Sequence, residues 1–496
     1  MDSPAVTKLF RRLFAHETCS TLRTQRLSSV RQQSLAQYHQ RRKYRNQVRS
    51  REGGTGTWQQ RTSFFPEDKT NEYREYPTVT ADQLRAWRRR PRRVKMLMRD
   101  FIEDSLYNPH YGYFPKQAVI FSGDPFNFRQ LKDEAEFHRK LGERYLEFEN
   151  ALDEKEENET RQLWHTPTEL FRPYYGEAIA RYLVTNYKLS LYPYNDLLIY
   201  EMGAGNGTLM LNILDYIRDA NPEVYERTKF KVIEISSSLA ALQESQLMRS
   251  AVARGHLEKV EIINRSIFDW DTYVSSPCFF LALEVFDNFA HDCIRYDHET
   301  EQPLQCHVLI DRQGDFYEFY ERTLDPVASR FLSVRDAASS SAYTHPLQTP
   351  RVWRKFRSNL PFAPNLTTPE FIPTRLMQFF DILRDYFPAH KLVTSDFHSL
   401  PDAVEGFNAP VVQTRYQRRT IPVTTALVHQ GYFDILFPTD FGVMEDIYRA
   451  ITGKLTRVMS HEDFLKRWAY VEETETRSGE NPLLSWYKNA SVLTTV

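Results

Sequence analysis

Apolar positions fall into two kinds of run along this chain. Short continuous runs at Leu197–Met202, Phe230–Ile235, Val260–Ile263, Phe279–Leu283 and Lys391–Phe397 are bounded by turn residues. They read as strands buried on both faces of a parallel sheet. Runs with apolar residues three and four apart read as helices, at Val94–Tyr107, Leu209–Ile217, Phe371–Phe387 and Val443–Ile451. Ser236–Leu247 also reads as a helix, and Thr80–Arg93 as a basic one interrupted at Pro91. Thr166 as N-cap, with Pro167 at the first helical position, starts a further helix. Cys306–Ile310 and Phe316–Tyr320 flank Asp311–Asp315 as a hairpin. Strands alternating with helices predict an α/β fold built on a Rossmann-like sheet.

The first strand ends in chemistry. Glu201-Met202-Gly203-Ala204-Gly205-Asn206-Gly207-Thr208 places an acid before three glycines at alternate positions, and a helix follows. Glycine permits the turn and lets backbone approach a ligand, while the helix start offers free N–H groups. The spacing differs from the dinucleotide G-x-G-x-x-G, and a phosphate-binding Lys-Ser/Thr is absent. E-x-G-x-G-x-G is the pattern of S-adenosylmethionine-dependent methyltransferases; an ordinary glycine turn in another α/β protein is the competing reading. Glu234, near the end of the second strand, stands where an acid meets ribose hydroxyls. The long separation from the glycines is taken up by a break at Asn221-Pro222 and an extra turn over Glu223–Arg227.

Composition adds two constraints. A formal net charge of −1 over 496 residues gives no overall pull toward nucleic acid. The first sixty residues are different: Arg-, Ser- and Gln-rich, poor in acids, with an amphipathic stretch around Leu9, Phe10, Leu13 and Phe14. That describes a mitochondrial transit peptide, with a basic binding arm as the alternative. Gly53–Thr57 reads as a flexible joint. The four cysteines form no C-x-x-C pair, and His291, Asp292 and His298 read as surface residues, so no metal is expected. No apolar run reaches the roughly 18 residues of a membrane span.

A helix ending Leu106-Tyr107-Asn108-Pro109-His110-Tyr111-Gly112-Tyr113 makes an aromatic turn, either a lid on a core or the cap of a pocket. With Tyr175-Gly176-Glu177, the glycine motif, Pro222–Tyr225, Val232–Ser236, Ala282–Asp287 and Phe433–Phe441 in the same order, the chain resembles the MidA-like methyltransferases. These include the mitochondrial arginine methyltransferase of complex I assembly. The resemblance spans roughly residues 94 to 455.

The resemblance implies a class I S-adenosylmethionine-dependent methyltransferase sheet with a helical N-terminal segment and an inserted substrate region. Glu201, Gly203, Ala204, Gly205, Gly207, Glu234, Ser266 and Ile267 would hold S-adenosyl-L-methionine. Tyr111, Gly112, Tyr113, Gly176 and Glu177 would border the pocket, and Glu284 and Asp287 would stand beside the methyl group. The implied acceptor is a protein arginine, on a respiratory complex I subunit in the mitochondrial matrix. Residues 80–455 would form the methyltransferase domain, with an acidic helical insertion at 118–165 and a substrate-side insertion at 322–390. Residues 456–496 would be a C-terminal extension. The chain departs from the family at Asn206, Ser266, Leu283 and Ala290. Those departures leave room for an inactive assembly scaffold. The basic residues at 85–93 and 415–419 leave room for an RNA methyltransferase.

Overall fold

A computed structural model describes residues 57–60, 67–234, 248–338, 343–347, 365–401, 403 and 408–496. The basic segment up to residue 56 and the helix expected at Ser236–Leu247 lie outside the described residues. Seven strands form the main sheet: β1 Leu197–Met202, β2 Thr228–Glu234, β3 Val260–Asn264, β4 Cys278–Leu283, β5 His390–Phe397, β6 Thr456–Ser460 and β7 Ala490–Thr495. Their spatial order is β6-β7-β5-β4-β1-β2-β3. β1 is parallel to β2 and β4, β2 to β3, and β4 to β5. β7 runs antiparallel to both its neighbours. This is the Rossmann-like methyltransferase sheet expected from the sequence. Strand order reverses between β1 and β4, which opens a crevice beyond their carboxyl ends.

Helices cover both faces. In chain order they include α1 Met98–Tyr107, α2 Glu134–Asp153, α3 Pro167–Leu170, α4 Tyr174–Ser190, α5 Thr208–Ala220, α6 Thr374–Tyr386, α7 Phe441–Thr452 and α8 His461–Trp468. Successive side chains of β1 point to opposite faces. Leu197 and Ile199 therefore join the core under α4 and α5, while Tyr200 and Met202 join the core under α6 and α7. β1 is buried on both faces, so its sequence is continuously apolar rather than alternating.

Three expectations need correction. Val94–Tyr107 is not one helix. Val94–Leu97 is a strand paired with Pro303–Ile310 in a second, antiparallel sheet, and α1 starts at Met98. Burial of Val94 and Met96 but not Lys95 is a period of two hidden ahead of a period of 3.6. The basic helix shrinks to Ala81–Leu84, capped reciprocally by Thr80 and Gln83; the arginines beyond it are not helical. Of the joint expected at 53–57 only Thr57 is described, and it opens an edge strand, Thr57–Gln59, against Phe316–Glu321. Residues 456–496 are not an appendage, because they supply β6, α8 and β7, and β7 lies inside the sheet.

The acidic insertion finds its counter-charges within the chain. Arg415, on the strand Val411–Tyr416, grips Glu149 of α2 with both guanidinium nitrogens, the longer contact at 2.9 Å. Arg418 pairs with Asp153. Glu149 and Arg415 side chains are 4% and 14% exposed. Removing one partner of such a pair strands the other charge out of water. Glu149→Ala is expected to cost about 3 kcal/mol of stability, read by urea unfolding, and Glu149→Ala/Arg415→Ala less than the sum of the two single changes.

Candidate functional site

Beyond the carboxyl ends of β1, β2 and β4 lies a cavity of about 990 Å³. The β1–α5 turn forms its floor. Gly203 and Gly205 have φ of +73° and +53°, left-handed values that cost an L side chain roughly 1–2 kcal/mol. Space is short as well. A Cβ on Gly203 would lie 2.9 Å from Val285 Cγ1, and one on Gly205 2.7 Å from Ile120 Cδ1. The left-handed backbone is what calls for glycine here, and Ile120, which comes from the acidic insertion, lies close over it.

Glu201 is 5% exposed, and its Oε2 has no hydrogen-bond partner. Burial, then the nearby charge of Glu234, pushes its carboxyl up to about 8. Glu234 ends β2 and faces the same cavity. Ser266 Oγ accepts the Phe268 N–H at 3.2 Å and caps a short turn, so Ile267 and Phe268 wall an apolar slot. At the rim Arg85 meets Asp269 at 3.0 Å.

A second group of acids stands at the end of β4. Glu284 follows the strand at φ +53°, a strained value for a non-glycine residue that marks functional positions. Asp287 is 4% exposed and its Oδ1 has no partner. Asp396, on β5, accepts the backbone N–H of Phe286 at 2.8 Å and of Asp287 at 3.4 Å. Asp434 accepts Asn288 Nδ2 at 2.9 Å. Among the described residues none of these four carboxylates forms an ion pair with Lys or Arg. Burial pushes Asp396 and Asp434 up to about 7, and Glu284 and Asp287 well above the usual carboxylate range.

The cavity thus brings together Glu201, Gly203, Ala204, Gly205, Glu234, Ser266, Ile267, Glu284 and Asp287, all singled out in the sequence. Gly207 lies just outside it and caps α5. The aromatic turn is a correction. Tyr111 turns its hydroxyl to Asp104 at 2.8 Å, and the buried Tyr113 accepts Trp164 Nε1 at 2.7 Å. Gly112 is required by backbone crowding, since a Cβ would lie 2.5 Å from Asn108 N. Their neighbours Tyr107, Asn108 and Phe114 face the cavity instead. Gly176 and Glu177 are a second correction. Gly176 is where α4 packs on α5, because a Cβ would meet Asn212 Cβ at 2.6 Å. Glu177 lines a separate outer groove.

Sequence reasoning missed Glu169. Its Oε1 accepts Asn206 Nδ2 at 3.0 Å and Thr208 Oγ1 at 2.7 Å, tying α3 to the glycine turn. Thr166-Pro167 drew attention only as a helix start; nothing local tells that the acid two residues later crosses to another element. Asp396, Asp434 and Tyr487 were also missed, for the same reason.

The sequence profile of a family described as "Putative S-adenosyl-L-methionine-dependent methyltransferase" matches residues 178–459. The chain belongs to this family. It is an S-adenosylmethionine-dependent methyltransferase, and the donor is its cofactor. A Schizosaccharomyces pombe protein named "Protein arginine methyltransferase NDUFAF7 homolog, mitochondrial" is 26% identical over 397 residues, 76% of this chain and 80% of that one. The Saccharomyces cerevisiae protein of the same name is 22% identical over 340 residues, 64% and 77% of the two chains. A solved Burkholderia thailandensis structure bound to S-adenosyl-homocysteine is 14% identical with a TM-score of 0.48, covering 81% of this chain and 88% of that one. The chemistry of the cavity fits the donor. It offers an unpartnered buried carboxyl oxygen for an ammonium, a floor of left-handed glycine backbone, and an apolar slot for a flat base.

Two outcomes follow. Gly205→Val should weaken donor binding more than tenfold by calorimetry, since the new side chain strains the turn and strikes Ile120. Without donor, stability should fall as pH rises from about 6.5 to about 8, above the range in which the buried neutral His291, His390 and His461 act in the opposite sense. Over that range Asp396, Asp434 and Glu201 keep protons that unfolded carboxyls, near pH 4, have released. A thermal midpoint that climbs across this range would contradict the assignment.

Proposed function

We propose that the methyltransferase acts on a guanidine nitrogen of arginine in a protein, in the mitochondrial matrix, with a respiratory complex I subunit as the acceptor. The carrying observation is the group of acids at the end of β4, which lacks any cationic partner among the described residues. Four buried carboxylates without a counter-charge cost several kcal/mol unless protonated or met by a cation. A guanidinium supplies that cation in planar, bidentate form. Both of these relatives carry arginine methyltransferase and mitochondrial in their names, and the acid-poor basic N-terminus agrees.

The residues divide the work. Glu201 accepts the donor's ammonium through its unpartnered Oε2, and that contact ionises it. The Gly203–Gly205 backbone supports the methionine chain, Glu234 takes the ribose hydroxyls, and Ser266 to Phe268 hold the adenine. Bound S-adenosylmethionine supplies a methyl group on a sulfonium, whose sulfur leaves as a neutral thioether and needs no proton. Glu284 and Asp287 hold the guanidinium with one nitrogen in line with that methyl. As the N–C bond forms and the C–S electron pair returns to sulfur, the attacking nitrogen releases a proton to Glu284. Positioning accounts for most of the rate, and proton acceptance for a further factor of roughly 10²–10⁴. Arg415 and Arg418 are engaged by Glu149 and Asp153, which supports a structural role for two of the three arginines at 415–419 rather than an RNA contact.

The test uses full-length protein, tritiated donor and a mitochondrial extract from cells lacking the protein. Label is expected in protein, recovered as methylarginine after acid hydrolysis. Label in RNA, or donor binding with no transfer, would overturn the reading. Glu284→Gln should lower kcat at least 100-fold and leave the donor Kd within about threefold.

A further inference from the structure

The acids at the end of β4 face a tyrosine from the far end of the chain. Tyr487 sits between α8 and β7, beyond the residues that the family profile matches. Its ring packs against Phe397 and His461, with centroids 6.1 and 6.0 Å away. The residue is 5% exposed and lines the cavity with Glu284 and Asp287. Its hydroxyl oxygen is buried with no hydrogen-bond partner. An unmade hydrogen bond there costs roughly 1–3 kcal/mol. Glu284 is close enough to hold the phenol in its neutral form, the first charge to act on it after burial itself.

We propose that the Tyr487 hydroxyl is a further contact of the acceptor guanidinium, completing with Glu284 and Asp287 the clamp that turns one nitrogen toward the methyl group. A guanidinium carries five N–H donors in a fixed plane. Two carboxylates can satisfy four of them along two edges. A neutral hydroxyl on the same wall takes another N–H as acceptor, or donates its own hydrogen to Glu284 and fixes that carboxylate's orientation. Either way Tyr487 acts on the acceptor and not on the donor, which lies on the β1–β2 side of the cavity. This inference rests on the arginine reading above.

The experiment compares Tyr487→Phe with wild type, both full length, on the same mitochondrial extract with tritiated donor. Tyr487→Phe keeps the ring packing and deletes an oxygen that has no partner, so its thermal midpoint should equal or exceed that of wild type. Binding of S-adenosylhomocysteine, read by calorimetry, should stay within twofold. kcat/KM for methylarginine formation should fall roughly tenfold to hundredfold. The acid limb of its pH profile should move to higher pH, because Glu284 loses a stabilising neighbour. Unchanged kcat/KM overturns the proposal. A fall matched by weaker S-adenosylhomocysteine binding or a lower thermal midpoint overturns it too, as a packing role would do that. If wild type itself forms no methylarginine, the failure belongs to the arginine reading.

Discussion

Unpaired negative charge at the carboxyl edge of the sheet is the constraint on which the site depends. Glu201, Glu284, Asp287, Asp396 and Asp434 gather where β1, β4 and β5 end; Glu284 is half-buried and the other four are buried. Carboxylates in such a place either keep their protons or wait for a cation. The protein answers partly with dipoles: backbone N–H groups meet Asp396, and a side-chain amide meets Asp434. Glu201 and Asp287 each retain an oxygen with no partner at all. Two cations are therefore wanted, one near β1 and one near β4. A methyl donor carrying an ammonium and an acceptor carrying a guanidinium would bring them.

Distant parts of the chain close this edge. Ile120 from the acidic insertion lies over Gly205, and Tyr487 lines the same cavity as Glu284. The insertion is held by Arg415 gripping Glu149, and the C-terminal residues are held by β7 running between β5 and β6. Stability of the scaffold and shape of the cavity are thus the same set of contacts. Glu169 makes the point at short range, since one carboxylate joins α3 to both Asn206 and Thr208 and so fixes the glycine turn from outside.

What could be read from the sequence follows from how local each constraint is. Gly203 and Gly205 sit at positive φ within a strand–turn–helix, and such positions leave glycine as their trace. Glu201 and Glu234 were found because strand ends are visible as the ends of apolar runs. Asp396 and Tyr487 left no such trace: Asp396 takes its meaning from Phe286, 110 residues earlier, and Tyr487 from a cavity it shares with Glu284. The aromatic turn misled through side-chain direction. Tyr107 and Phe114 face the cavity, while Tyr111 and Tyr113 turn inward, and composition alone does not separate them. Val94–Leu97 misled because four alternating residues run directly into a helix, and the helical period dominates any window that spans both.

The same electrostatics bears on why arginine suits this edge better than lysine. Surrounding carboxylates stabilise a cation and raise its proton affinity, whichever side chain enters. A lysine held there stays an ammonium, whose nitrogen has no electron pair to offer. A guanidinium keeps π-electron density on nitrogens that still bear hydrogens, and it can shed one as the new bond forms. Its product is again a cation, so Asp287 stays paired after transfer while Glu284 holds the released proton. An acid-lined cavity therefore selects against the amine by protonating it and accepts the guanidinium without discharging it.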